Sequence, residues 1–157
     1  MADNSGWIAT LQRVAQEHIA EPVIAAGLFA PAGAMGGMGV AKVSGLGGMF
    51  RDRKINERAG GLGHHGAFKL RQALIAVTAG KVYGFNSKPK GRSNWQIVDQ
   101  AVEWNRADVT VTVADRKVTR LVTFTVAPDG ATYELEMNKM AGDLNDALLS
   151  ELGASAA

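Results

Sequence analysis

The chain has 157 residues, no cysteine, 19 glycines and a formal net charge of +2. That length suits one domain, and a hydrophobic content of 46% can fill a core and excludes wholesale disorder. The lack of cysteine excludes a disulfide scaffold, a zinc ribbon and a thiol nucleophile.

Glycine and charge are both unevenly placed. Twelve of the glycines fall between Gly27 and Gly66. Residues 42–92 carry eleven Lys/Arg against two acids, a balance of +9. Residues 93–157 carry five basic against ten acidic residues, a balance of −5, and residues 1–41 a balance of −2. Such a bipolar chain can meet an anion on one face or its own copy head to tail.

A helix is expected over 5–20. Ser5 suits an N-cap. Trp7, Ile8, Leu11, Val14, Ala15, His18 and Ile19 form one apolar stripe. Glu21-Pro22 ends it, because a residue before proline avoids the helical region. This amphipathic start does not read as a signal peptide. The helix must dock, either on its own sheet or on another subunit.

The uncharged run Val23–Ala41 is long enough for a membrane span, but its Gly and Ala content and Pro31 oppose one. Val23–Phe29 reads as a short strand stopped by Pro31. Residues 32–66 alternate Gly with Met35, Met38, Val40, Val43, Leu46, Met49 and Phe50. This tract carries apolar side chains to bury, unlike a Gly/Ser linker.

Strands follow. Ala73–Thr78 and Lys81–Phe85 flank Ala79-Gly80, a tight hairpin signal. Asn86–Asn94 is a basic, turn-rich loop. Trp95–Val98 and Ala101–Trp104 read as one strand with a bend. Val109–Val113 alternates with threonine, as a half-buried strand does. Val118–Val126 is next, and Pro128-Asp129-Gly130 turns the chain into Thr132–Met137. A closing helix is expected from Lys139 to Leu152, with Met140, Leu144, Leu148 and Leu152 on one face and Gly153 as its stop.

The hairpin Leu74–Phe85 resembles the apolar strand, Thr, turn, basic residue and apolar strand of bacterial pleckstrin-homology-like domains. The late hairpin and closing helix are similar to that family too. The resemblance covers about residues 68–152 and carries no catalytic motif. It implies a non-enzymatic scaffold that binds lipids, peptides or protein partners. The chain also looks like small actinobacterial proteins with a Gly-rich N-terminal half.

Other motifs have plain readings. Gly61–Gly66 matches G-x-G-x-x-G in letters, yet no strand precedes it and no helix follows, so a glycine loop is expected. Adjacent His64 and His65 read as loop residues, and His18 as a packed edge residue. No metal or cofactor is expected. Glu134 and Glu136 alternate with Leu135 and Met137, the pattern of a solvated strand face, and no G-x-S-x-G elbow is present.

The expected architecture is α+β: a small antiparallel, pleckstrin-homology-like bent sheet or barrel closed by the C-terminal helix. Its parts are an N-terminal amphipathic helix (1–22), a Gly-rich apolar and basic arm (23–67), the sheet domain (68–153) and a tail (154–157). The expected function is a non-catalytic, cytoplasmic interaction or assembly module without a small-molecule substrate. Trp7, Leu11, Phe29, Met35, Met38, Met49 and Phe50 are the candidate contacts to its own copies or a protein partner. Arg51, Arg53, Lys54, Arg58, Lys88, Lys90 and Arg92 are the candidate anion contacts. They frame a second reading, peripheral binding to anionic lipid, and a weaker third, nucleic-acid binding.

Overall fold

A computed structural model describes residues 5–31, 68, 72–91, 94–128, 130–139 and 143–156. Helix α1 (Ser5–Gln16) is followed by strands β1 (Ala25–Pro31), β2 (Gln72–Val77), β3 (Lys81–Pro89) and β4 (Trp95–Asn105). A 3-10 turn (Arg106–Asp108) leads to β5 (Val109–Asp115), β6 (Thr119–Val126) and β7 (Ala131–Asn138). Helix α2 (Asp146–Glu151) and the short β8 (Ser155–Ala156) end the described chain. The eight strands form one sheet in the order β4-β3-β2-β1-β7-β6-β5-β8. Every pairing is antiparallel except β5 with β8, and the sheet is not closed.

Strand β1 sits at the centre of this order, so the sheet begins at Ala25 rather than near residue 68. Pro31 lies at the end of the strand and pairs with Leu135. A proline is tolerated at that position because a strand end can forgo one ladder donor. β1 pairs with β2 from Ala25 to Phe29 but with β7 only at Ala30 and Pro31. The sheet therefore divides at β1 into two wings joined at one end.

The wings fold toward each other over an inner core. Trp104 of β4 and Tyr133 of β7 lie four strands apart in the sheet order, yet their rings are 4.9 Å apart. Phe29 meets Phe124 edge-on at 6.2 Å, and Phe68 meets Tyr133 in the same way. Edge-to-face pairs of this kind are favoured by the ring quadrupole. Leu148 and Leu149 of α2 join this core.

Helix α1 covers the opposite face of the β1–β4 wing. Leu11, Val14, Ala15 and Ile19 pack with Ala26, Leu74, Ala76, Tyr83 and Phe85. Each large apolar side chain buried there contributes about 1.5–3 kcal/mol. Burial on both faces explains the unbroken apolar run Ala73–Val77, every residue of which is buried. In β3, a Cβ on Gly84 would lie 2.6 Å from Val102 Cγ2 and 2.8 Å from Phe68 Cζ. The glycine leaves room for the Phe68 ring beside a register shift between β3 and β4.

Three expectations need correction. The first helix ends at Gln16, not residue 20. The Gln16 amide donates to the carbonyls of Ile19 and Glu21, and its oxygen accepts from the Val23 N–H. One side chain thus organises the exit loop that would otherwise extend the helix. The last helix begins at Asp146, well after Lys139. Glu136 is only 6% exposed, so the Glu134–Glu136 face is not a simple solvated one.

Asn145 explains the late start of α2. It is fully buried, and its side-chain amide pairs with the backbone of Leu28 in β1. Oδ1 accepts from the Leu28 N–H at 2.7 Å, and Nδ2 donates to the Leu28 carbonyl at 2.9 Å. Gly27 makes this approach possible, since a Cβ there would lie 2.6 Å from Asn145 Oδ1 and 2.9 Å from Leu148 Cδ2. Replacing Asn145 by Ala leaves a buried N–H and C=O unpaired and should lower stability by about 2–4 kcal/mol, read by urea unfolding. Asn145→Asp should be comparably damaging at neutral pH, because a carboxylate oxygen then faces the Leu28 carbonyl. Part of that loss should return as the pH falls and the carboxyl gains a proton to donate.

Candidate functional site

A cleft among the described residues lies where α1 crosses the β3–β4 connection. β3 ends at Lys88-Pro89, opposite Gln96 and Trp95 of β4. The turn is closed by the Lys90 N–H donating to the Asn94 carbonyl at 2.8 Å. The Asn94 side chain faces α1: its Oδ1 accepts from the Trp95 N–H at 2.9 Å and from Arg13 Nη2 at 3.3 Å. Arg13 Nη1 in turn donates to Glu17 Oε1 at 3.1 Å, one helical turn on.

These contacts frame a cleft of about 340 Å³. Arg13, Glu17 and His18 line it from the helix side, and Lys90, Asn94 and Trp95 from the strand side. Arg13 and Lys90 bring two fixed positive charges against the one carboxylate of Glu17, so the cleft favours anions. Trp7 flanks it, 47% exposed, with its ring edge-on to Trp95 at 6.2 Å. Lys88 and Lys90 are both exposed.

The candidate residues divide sharply by position. Trp7 stands at the rim of the cleft against Trp95, Lys90 lines its strand side, and Lys88 is exposed two residues earlier at the end of β3, outside the lining. Leu11 is fully buried under α1, and Phe29 is 2% exposed in the inner core, so neither presents a surface to a partner. Met35, Met38, Met49, Phe50, Arg51, Arg53, Lys54, Arg58 and Arg92 lie outside the described residues, as do Gly61–Gly66 with His64 and His65. Arg13, Glu17 and Asn94 were not singled out by sequence, although the i, i+4 spacing of Arg13 and Glu17 is a legible signal. His18 is exposed rather than packed, with its ring 6.0 Å from Phe85.

Among the described residues no group of three His, Asp or Glu side chains comes together to hold a metal ion. Nor is any described helix long and apolar enough to cross a membrane.

A second polar contact fixes the far end of α1's exit loop. The Tyr83 hydroxyl donates to Glu21 Oε2 at 2.8 Å. That hydrogen bond, reinforced by burial and by the carboxylate charges of Glu21 and Glu103, pushes the phenol from 10.0 up to about 12. Because the raised value favours the neutral phenol in the folded state, its contribution is complete below pH 10 and fades between pH 10 and about 12. An ultraviolet phenolate titration should show Tyr83 ionising near the upper value, and Glu21→Gln should move that step downward. A Tyr83 step at the ordinary value in the native protein would contradict the contact.

Comparison of the chain with protein-family models, with curated proteins and with solved structures finds no match.

Proposed function

We propose that the protein is a non-catalytic interaction module that contacts polypeptide, its own copies first, through the α1/β3–β4 end of the sheet. The observation that carries this reading is the convergence of a half-exposed tryptophan pair with a cation-lined cleft. Exposed tryptophan beside arginine is the composition that dominates binding energy at protein contacts. The cleft is small and mostly polar in its lining residues, which suits a few side chains of a partner better than an apolar small molecule.

A pleckstrin-homology-like arrangement is part of the same proposal. The strand order β4-β3-β2-β1-β7-β6-β5, with a helix after the seventh strand packed against β1, supports it. So does the two-residue turn between β2 and β3, where Thr78 Oγ1 accepts from the Lys81 N–H. In this arrangement the sheet is the rigid body and the surface around α1 is the variable, contacting part.

Peripheral binding to anionic lipid is the second reading. It draws on Trp7 together with the exposed Lys88 and Lys90, since an amphipathic ring beside cations suits a headgroup layer.

Light scattering of the purified chain tests the proposal. Mass should exceed that of the 16.5 kDa monomer at micromolar concentration, and Trp7→Ser combined with Lys88→Glu and Lys90→Glu should return it toward the monomer. A mass that stays monomeric throughout the accessible concentration range overturns self-contact. Flotation with anionic vesicles that fades with salt favours the lipid reading instead.

A further inference from the structure

Within the proposed contact surface, one side chain already has a carboxylate on it. Arg13 uses Nη1 for Glu17 and Nη2 for Asn94, so the guanidinium is held in a fixed plane at the cleft. The Glu17 pair is solvent-exposed on both sides, with 56% and 59% of the side chains accessible. Exposed pairs of this kind are worth little. An external carboxylate can therefore displace Glu17 at small cost and gain Lys90 and the Trp7–Trp95 surface in exchange.

We propose that the cleft is a receptor for an acidic peptide segment, with Glu17 acting as an internal competitor for Arg13. This inference rests on the interaction-module reading and adds the chemistry of the partner. Arg13 takes one carboxylate of the segment through its forked donors, a geometry that favours two parallel N–H···O bonds. Lys90 takes a second. The tryptophan pair receives an apolar side chain next to the acids, as Trp does at contact sites. The charge of the cleft, with Arg13 and Lys90 against Glu17 alone, matches such a segment.

The competitor role makes a gain of function the informative test. Trp7 and Trp95 report directly, since Trp104 is buried and remote in the inner core. The probe is a synthetic hexapeptide of Asp and Glu with one central Leu, titrated into the full chain and followed by tryptophan fluorescence. Saturable binding that weakens with salt is expected. Removing the competitor with Glu17→Gln should tighten it about two- to fivefold, the range of an exposed ion pair. Loss of the charge-assisted contact in Arg13→Gln should weaken it about tenfold. Circular dichroism on both variants checks that α1 stays folded. Absence of saturable binding, or a Glu17→Gln variant that binds no tighter than the native chain, overturns the proposal. Binding of anionic vesicles but not of the peptide overturns it as well. If the peptide fails while self-association still depends on Trp7, the interaction-module reading stands and only the acidic partner falls.

Discussion

A single amide decides how this sheet is built. Strand β1 lies between β2 and β7, yet it pairs with β7 only at Ala30 and Pro31. Toward its start the two strands separate, which would leave buried backbone groups of β1 without partners. Unpaired buried N–H and C=O groups are costly enough that folds avoid them. Asn145 answers at Leu28, where its side chain offers one donor and one acceptor in the spacing of a neighbouring strand. The gap beside β1 is thus filled by the start of a helix, and that is what allows the wings to diverge.

The divergence has consequences on both sides of the sheet. On the inner side the wings enclose the aromatic cluster of Trp104, Phe124 and Tyr133, with α2 adding Leu148 and Leu149. Arg106 ties the β2–β3 turn to the end of α2. Nη1 donates to the Thr78 carbonyl, and Nη2 donates to both the backbone and the carboxylate of Glu151. On the outer side, Ala26 and Ala76 are small enough for α1 to lie close to β1 and β2. The helix that borders the cleft is therefore positioned by the same strand that Asn145 completes.

Much of this fold is legible where the signal is local. The Ala79-Gly80 hairpin, the alternation in Val109–Val113 and the Val122/Phe124 inner face follow from period and turn chemistry alone. What is not legible depends on contacts distant in sequence. Gln16 reads as a helix residue and does not announce that its amide will organise residues 19–23. Glycine and alanine in β1 read as part of a glycine-rich tract, because their purpose is close approach by Asn145 and α1, more than a hundred residues away in the first case. Glu136 alternates like a surface residue, yet it is buried at the position where β7 pairs with Ala30 of β1, a contact distant in sequence. The candidate site shows the same division. Exposed Lys88 and Lys90 are visible as a basic loop, whereas Arg13 joins them only through a contact spanning 81 positions.

The docking of α1 also narrows what the N-terminal helix can do. An amphipathic helix with an unspent stripe could swing out and bury Leu11 and Val14 against another molecule. Here the stripe is already buried on the sheet, and releasing it would expose Leu11, Val14, Ala15 and Ile19 together with the strand residues beneath them. At about 1.5–3 kcal/mol for each large side chain, that opening competes with the few kcal/mol by which a domain of this size is stable at all. A partner is met more cheaply by what the docked helix leaves outside: Trp7 at one end, and the Arg13–Glu17 pair along the solvent side. The helix then acts as one fixed wall of the cleft, so that binding there requires exchange of a surface ion pair and no rearrangement of the core.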